Sequence, residues 1–149
     1  MDTKSGNLIA TMHHLRTLVS QIKPKGDMSI GEFCVMSIIH SEYNETGQKL
    51  TPTSLNDMLG TKKPATSRML TVLEKKGYVE KTSDERDRRI YYLELTKKGN
   101  EILEREKSLF HDLINRISLR LGDEEIEQIL QALTRLNDIL EEEIEVATY

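Results

Sequence analysis

Lys63, Ser67, Arg68, Thr71 and Lys75 follow one another at intervals of four, one, three and four residues, a spacing that gathers them on one side of a helix. That side carries what a base-pair edge and its phosphates accept. The planar guanidinium of Arg68 can pair twice with guanine, the hydroxyls of Ser67 and Thr71 suit a base edge or a phosphate, and the ammonium groups of Lys63 and Lys75 suit phosphate oxygens. Pro64 lies on the same side, in the first turn. Shortly afterwards the stretch Asp84-Glu85-Arg86-Asp87-Arg88-Arg89 places three arginines within four positions. A guanidinium is weakly hydrated and is drawn to the negative potential of a narrow minor groove, so Arg86 or Arg88 is the candidate to enter one. Asp84 and Asp87 are the candidates to orient the tip; Arg89 is a third DNA-binding candidate there, and the one of the three that can instead serve as a structural partner of Asp84 or Asp87.

The other polar chemistry is sparse. No nucleophile elbow, phosphate-cradling glycine loop or cluster of histidine with carboxylates is present, which argues against an enzyme. His13, His14, His40 and His111 lack the spacing of metal ligands, and neither metal nor cofactor is expected. Cys34, the single cysteine, cannot bridge internally and falls in an apolar helix. There, burial would raise its pKa and keep it inert, leaving a redox role as the lesser alternative.

The 149 residues carry a net charge of −4, yet that charge is unevenly distributed. Residues 60–99 hold eleven Lys and Arg against six Asp and Glu, whereas residues 100–149 hold five against thirteen. A local basic excess inside an acidic chain is what phosphate binding requires, and the acidic remainder limits non-specific adhesion. No apolar run approaches the ~20 residues of a membrane span, and the start lacks the apolar core of a signal peptide, so a cytoplasmic protein is expected. At this length one domain with its own core is the default.

Several elements must position these residues. Leu8, Met12, Leu15, Val19 and Ile22 lay an apolar stripe along a first helix that stops at Pro24 and Gly26. Ser29 and Glu32 form a capping box before a strongly apolar second helix, Ile30 to Tyr43, followed by a loop at 44–49. Thr51 caps a short helix with Pro52 in its first turn and a core face of Leu55, Met58 and Leu59, and Gly60 stops it. After a three-residue turn, the helix bearing Arg68 runs to Lys76. Its opposite side is Thr66, Met69, Leu70 and Leu73. Lys62 stands where a capping residue is wanted, so the cap comes from Thr61 or is lost at ~1 kcal/mol. Thr66 brings a hydroxyl into the core face, its simplest partner being its own helix carbonyl one turn back.

Tyr78–Lys81 and Ile90–Leu95 then read as a β-hairpin with a long charged tip. Thr96 caps a long helix ending at Gly122, and Asp123 caps a last one with near-heptad Ile126, Leu130, Leu133, Leu136, Leu140 and Ile144. The order is α-α-α-α-β-β-α-α. The chain is mainly helical with a small hairpin wing, a winged helix-turn-helix carried between terminal helices. Residues 29–95 form the expected DNA-binding region; residues 1–26 and 96–149 form the expected helical dimerisation region, since their apolar stripes exceed what one small domain covers.

The chain resembles the MarR family of winged helix-turn-helix transcription regulators. The resemblance rests on LTPTSLNDMLG at 50–60, KPATSRMLTVLEKKGYVEK at 63–81, the D-x-R-D-x-R tip at 84–89, and Leu95-Thr96-Lys97-Lys98-Gly99 leading into the long helices. It implies a homodimer with intertwined terminal helices that binds a pseudo-palindromic double-stranded operator and represses transcription until a small-molecule effector releases it. The alternative is a winged-helix module for protein contacts without DNA binding, its acidic last helix meeting a basic partner.

Overall fold

The computed structural model describes residues 3–22 and 28–147. Among them the order of elements is α1 (Thr3–Gln21), α2 (Ile30–Thr46), α3 (Pro52–Leu59), α4 (Lys63–Lys75), β1 (Val79–Ser83), β2 (Tyr91–Leu95), α5 (Lys97–Leu121) and α6 (Asp123–Ala147). The order matches the one read from the sequence. The stop of the first helix at Pro24 and Gly26 lies outside the described residues.

The chain divides into two compact units, residues 1–108 and 109–149. In the first, α2 supplies the centre through Val35, Met36 and Ile39. Leu55 of α3, Leu70 and Leu73 of α4, Tyr78, Val79 and Leu93 of the hairpin and Leu103 of α5 close around it. Full burial of a Leu stabilises by roughly 1.5–3 kcal/mol, and Leu55, Leu73 and Leu103 show no exposed surface. The hairpin strands pair antiparallel from Val79 opposite Leu95 to Ser83 opposite Tyr91. Leu93 N–H donates to Leu50 O at 2.7 Å, so the segment ahead of α3 adds a one-residue bridge to the sheet.

Local chemistry sets the helix ends. Ser29 Oγ accepts from Glu32 N–H at 3.1 Å while Glu32 Oε2 accepts from Ser29 N–H at 3.4 Å, the reciprocal capping box expected. The same Glu32 carboxylate pairs with Lys76 Nζ at 2.8 Å and so ties the start of α2 to the end of α4. Thr51 caps α3 through Ser54 N–H. Gly60, at φ 61°, ends α3 in a left-handed conformation that a side chain would resist.

Some boundaries and faces differ from the sequence reading. α2 runs on to Thr46 instead of stopping at Tyr43, because Thr46 Oγ1 closes the last turn on Glu42 O at 2.8 Å and the first glycine able to reverse the chain is Gly47, φ 70°. Met58 is half exposed: a two-turn helix presents one stripe, filled by Leu55 and Leu59, and Met58 falls past its edge. Asp123 opens α6 rather than capping it. Ile126 N–H donates to Gly122 O, and the Asp123 carboxylate sits in the positive first turn with Glu124 and Glu125. Cys34 is exposed, not buried, because α2 turns Val35, Met36 and Ile39 inward. Partial desolvation by its neighbours still pushes the thiol pKa up.

Candidate nucleic-acid interface

α4 has a sealed side and an open one. Thr66, Leu70 and Leu73 are buried, whereas Lys63, Pro64, Ser67, Arg68, Thr71 and Lys75 are all exposed. Among the described residues no hydrogen bond or ion pair holds the side chains of Lys63, Arg68 or Lys75. Thr71 differs, since its Oγ1 donates to Ser67 O at 2.9 Å. That hydroxyl proton is engaged with the helix, which leaves a methyl group and an acceptor lone pair facing out.

The entry of α4 resolves two alternatives. Lys62 is the capping residue and makes no side-chain cap bond; Thr61 supplies none either, because its Oγ1 is bonded to Thr66 Oγ1 at 2.9 Å. Thr66 in turn donates to Asn56 Oδ1 at 2.9 Å. Its partner is therefore the side chain of α3 and not its own helix carbonyl. The missing cap at Lys62 coincides with a cross-link of three side chains that fixes the angle between the two short helices. A buried hydroxyl needs such a partner, since burial without one costs about 1–3 kcal/mol.

The wing tip, residues 84–90, is built around two carboxylates. Asp84 Oδ1 accepts the backbone N–H groups of Arg86 and Asp87, both at 2.8 Å, and Asp84 Oδ2 accepts from Tyr92 O–H at 3.0 Å. Asp87 takes Arg89 in a fork, Nε at 3.0 Å and Nη2 at 2.9 Å, and also accepts Arg89 N–H at 3.0 Å. Arg89 is thus the structural arginine of the three. Arg86 and Arg88 are exposed, and among the described residues neither guanidinium has a protein partner. Tyr92 is a wing residue that sequence reasoning missed. The hairpin register, which pairs Thr82 with Tyr92 beside the tip, brings it to Asp84, and nothing local in the sequence signals that contact.

The two backbone N–H groups of Asp87 and Arg86, then Tyr92 O–H, hold the Asp84 pKa below the usual carboxylate range, and the Arg89 fork does the same for Asp87. A depressed carboxylate stabilises above its unfolded pKa of ~3.9, and that contribution is lost as pH falls through the lower folded value. The protection factors of the Arg86 and Asp87 amides should therefore hold above the unfolded carboxylate pKa of ~3.9 and fall only at more acid pH. Asp84→Ala should free the tip at every pH. The tip would then lose its fixed shape while the melting temperature of the helix-turn-helix stays unchanged. Hydrogen exchange of the variant, paired with a thermal melt, checks this.

His40, half-buried on α2, is fixed by α5: Nδ1 lies 3.2 Å from Asn100 Oδ1 and Nε2 lies 3.7 Å from Glu104. His111 is bonded to Asn115 one turn away. Neither stands in a group of metal-ligating side chains among the described residues.

Comparison with known proteins places this geometry. Residues 27–90 match the MarR family. The transcriptional repressor MprA of Escherichia coli is 30% identical over 107 residues, 72% of this chain and 60% of that protein; the chain thus spans about three-fifths of the length of this relative. FabT of Streptococcus pneumoniae, solved in complex with DNA, is 28% identical with a TM-score of 0.66, covering 95% of this chain and 99% of that one. MepR of S. aureus, also solved with DNA, shares the fold at a TM-score of 0.75 and 22% identity over 94% of this chain and 99% of its own. With its helix-turn-helix braced through Thr61, Thr66 and Asn56 and its wing drawn in on Asp84, the chain is similar over residues 27–90 to the MarR family of winged-helix proteins.

Proposed function

We propose that the protein is a dimeric, sequence-specific reader of double-stranded DNA that regulates transcription, as a repressor released by a small-molecule effector, and that it works in the cytoplasm. The observation that carries this reading is the open side of α4. Lys63, Ser67, Arg68, Thr71 and Lys75 are exposed there, with no fold contact to account for the cations. A helix of this width fits the major groove, and the wing that follows offers Arg86 and Arg88 to the adjacent minor groove or backbone. The relative MprA is itself a transcriptional repressor, and FabT and MepR have been seen on DNA.

Dimerisation has separate support in exposed apolar surface. Leu8, Met12, Leu15 and Val19 of α1 are all more than a third exposed, and so are Ile117, Leu130, Leu133, Leu140 and Ile144 on α5 and α6. Stripes of this extent are not left to water by a soluble monomer. On this reading residues 29–95 hold DNA while residues 1–26 and 96–149 pair the subunits. Two α4 helices then meet half-sites about one helical turn, 10 bp, apart. Capture of genomic fragments by the purified protein, with sedimentation on the same sample, tests both parts. Enrichment of fragments sharing an inverted repeat, bound by a species of twice the chain mass, is expected. No enrichment at low salt would overturn the proposal and favour the protein-contact alternative.

A further inference from the structure

The polarity of α4 is inverted at two positions. A hydroxyl, Thr66, is buried at 2% exposure while an isopropyl group, Val72, stands 38% exposed. The cross-link to Asn56 and Thr61 accounts for Thr66. Val72 is not among the buried core side chains, and it is the one large aliphatic side chain of α4 that stands more than a third exposed. It lies one turn after Arg68 and directly after Thr71, beside the face already described. Its shape is also fixed, because a β-branched side chain on a helix is confined to one χ1 rotamer.

We propose that Val72 reads the C5-methyl group of a thymine in the major groove, next to the base pair contacted by Arg68. A side chain with neither donor nor acceptor cannot read the polar edges of the groove. Of the unmodified bases only thymine presents a methyl group there. The neighbouring Thr71 adds a second methyl and offers no hydroxyl proton, since that proton is spent on Ser67 O. This inference rests on α4 being the groove helix.

The test uses a duplex selected by the full-length protein from a randomised double-stranded library, re-synthesised with each thymine in turn replaced by deoxyuridine. One thymine per half-site should matter. Losing its methyl should weaken the wild type about fourfold, the ~0.8 kcal/mol of one buried carbon converted at 1.4 kcal/mol per tenfold. Val72→Ala should bind the thymine and uracil duplexes alike, and Val72→Thr, which keeps one methyl and the branched shape, should retain part of the discrimination. If no thymine methyl matters, or if Val72→Ala loses as much as the wild type on its removal, the assignment of Val72 is wrong while the DNA-binding reading stands. If no duplex is selected at all, that reading fails and this inference with it.

Discussion

Arg68→Ala should remove about 1–3 kcal/mol of affinity at each half-site, so a dimer on a symmetric operator loses between roughly thirtyfold and ten-thousandfold. The size of the effect follows from where the side chain stands. Arg68 is exposed on the open side of α4 and no residue of the described fold holds its guanidinium, so truncation disturbs nothing in the free protein. A forked, permanently charged donor can engage two acceptors on one guanine edge, and no other exposed side chain on α4 can do this. The loss should therefore be specific. Titrating the variant against its selected operator and against a scrambled duplex should show the first affinity collapsing towards the second, with the second little changed. Lys63→Ala serves as the contrast. A phosphate contact is blind to sequence, so its removal should weaken both duplexes by a similar factor.

Gly99→Ala should be the most damaging small change to the fold. A Cβ built on Gly99 runs into the carbonyl of Tyr78, a backbone group that cannot turn aside. The same carbonyl accepts Thr96 N–H at 3.0 Å. Around it Thr96 Oγ1 donates to Gly77 O at 2.6 Å and accepts Gly99 N–H at 3.0 Å. Lys98 reaches back to Lys76 O at 3.0 Å and sits over the Tyr78 ring at 5.2 Å. One methyl thus pries α5 from the point where α4, the hairpin and α5 meet. Overpacking of this kind costs about 1–3 kcal/mol and sometimes more, a fall in melting temperature of roughly 2–12 °C at this chain length. Thermal unfolding followed by circular dichroism measures it. A variant melting with the wild type would mean that α5 leaves β2 along a different path.

The junction also shows how much the sequence discloses. Thr96 as a cap was legible from residue type alone, and so were the capping box at Ser29, Thr51 with Pro52, and Gly60. Each depends on chemistry within four residues of itself. The α4 face was legible for the same reason, since helical spacing sorts Arg68 from Leu70 without reference to the rest of the chain. Arg89 could be nominated as a structural arginine from its distance along the chain to Asp87. What stayed hidden depends on residues far apart in sequence. Thr66 finds its partner in Asn56, ten positions earlier, because α3 and α4 cross there, and no local rule supplies that. Tyr92 reaches Asp84 only once the strands have paired. Met58 reads as core in the sequence because two turns of helix leave little room to judge a face. Cys34 reads as core because α2 is apolar nearly all round, and composition alone does not say which side turns inward. Val72 escaped notice because an aliphatic residue in a helix is first read as packing.

Cations on α4 and the wing should neutralise phosphates, so operator binding should weaken steeply as salt rises. Each phosphate contact lowers the slope of log K against log salt by about 0.9. With Lys63, Lys75, Arg86 and Arg88 on each of two subunits, a slope of about −7 is expected, and affinity should fall on the order of ten-thousandfold between roughly 50 and 200 mM salt. Removing Arg86 and Arg88 together should flatten the line. A slope near zero for the wild type on its tightest duplex would mean that these cations do not meet phosphates.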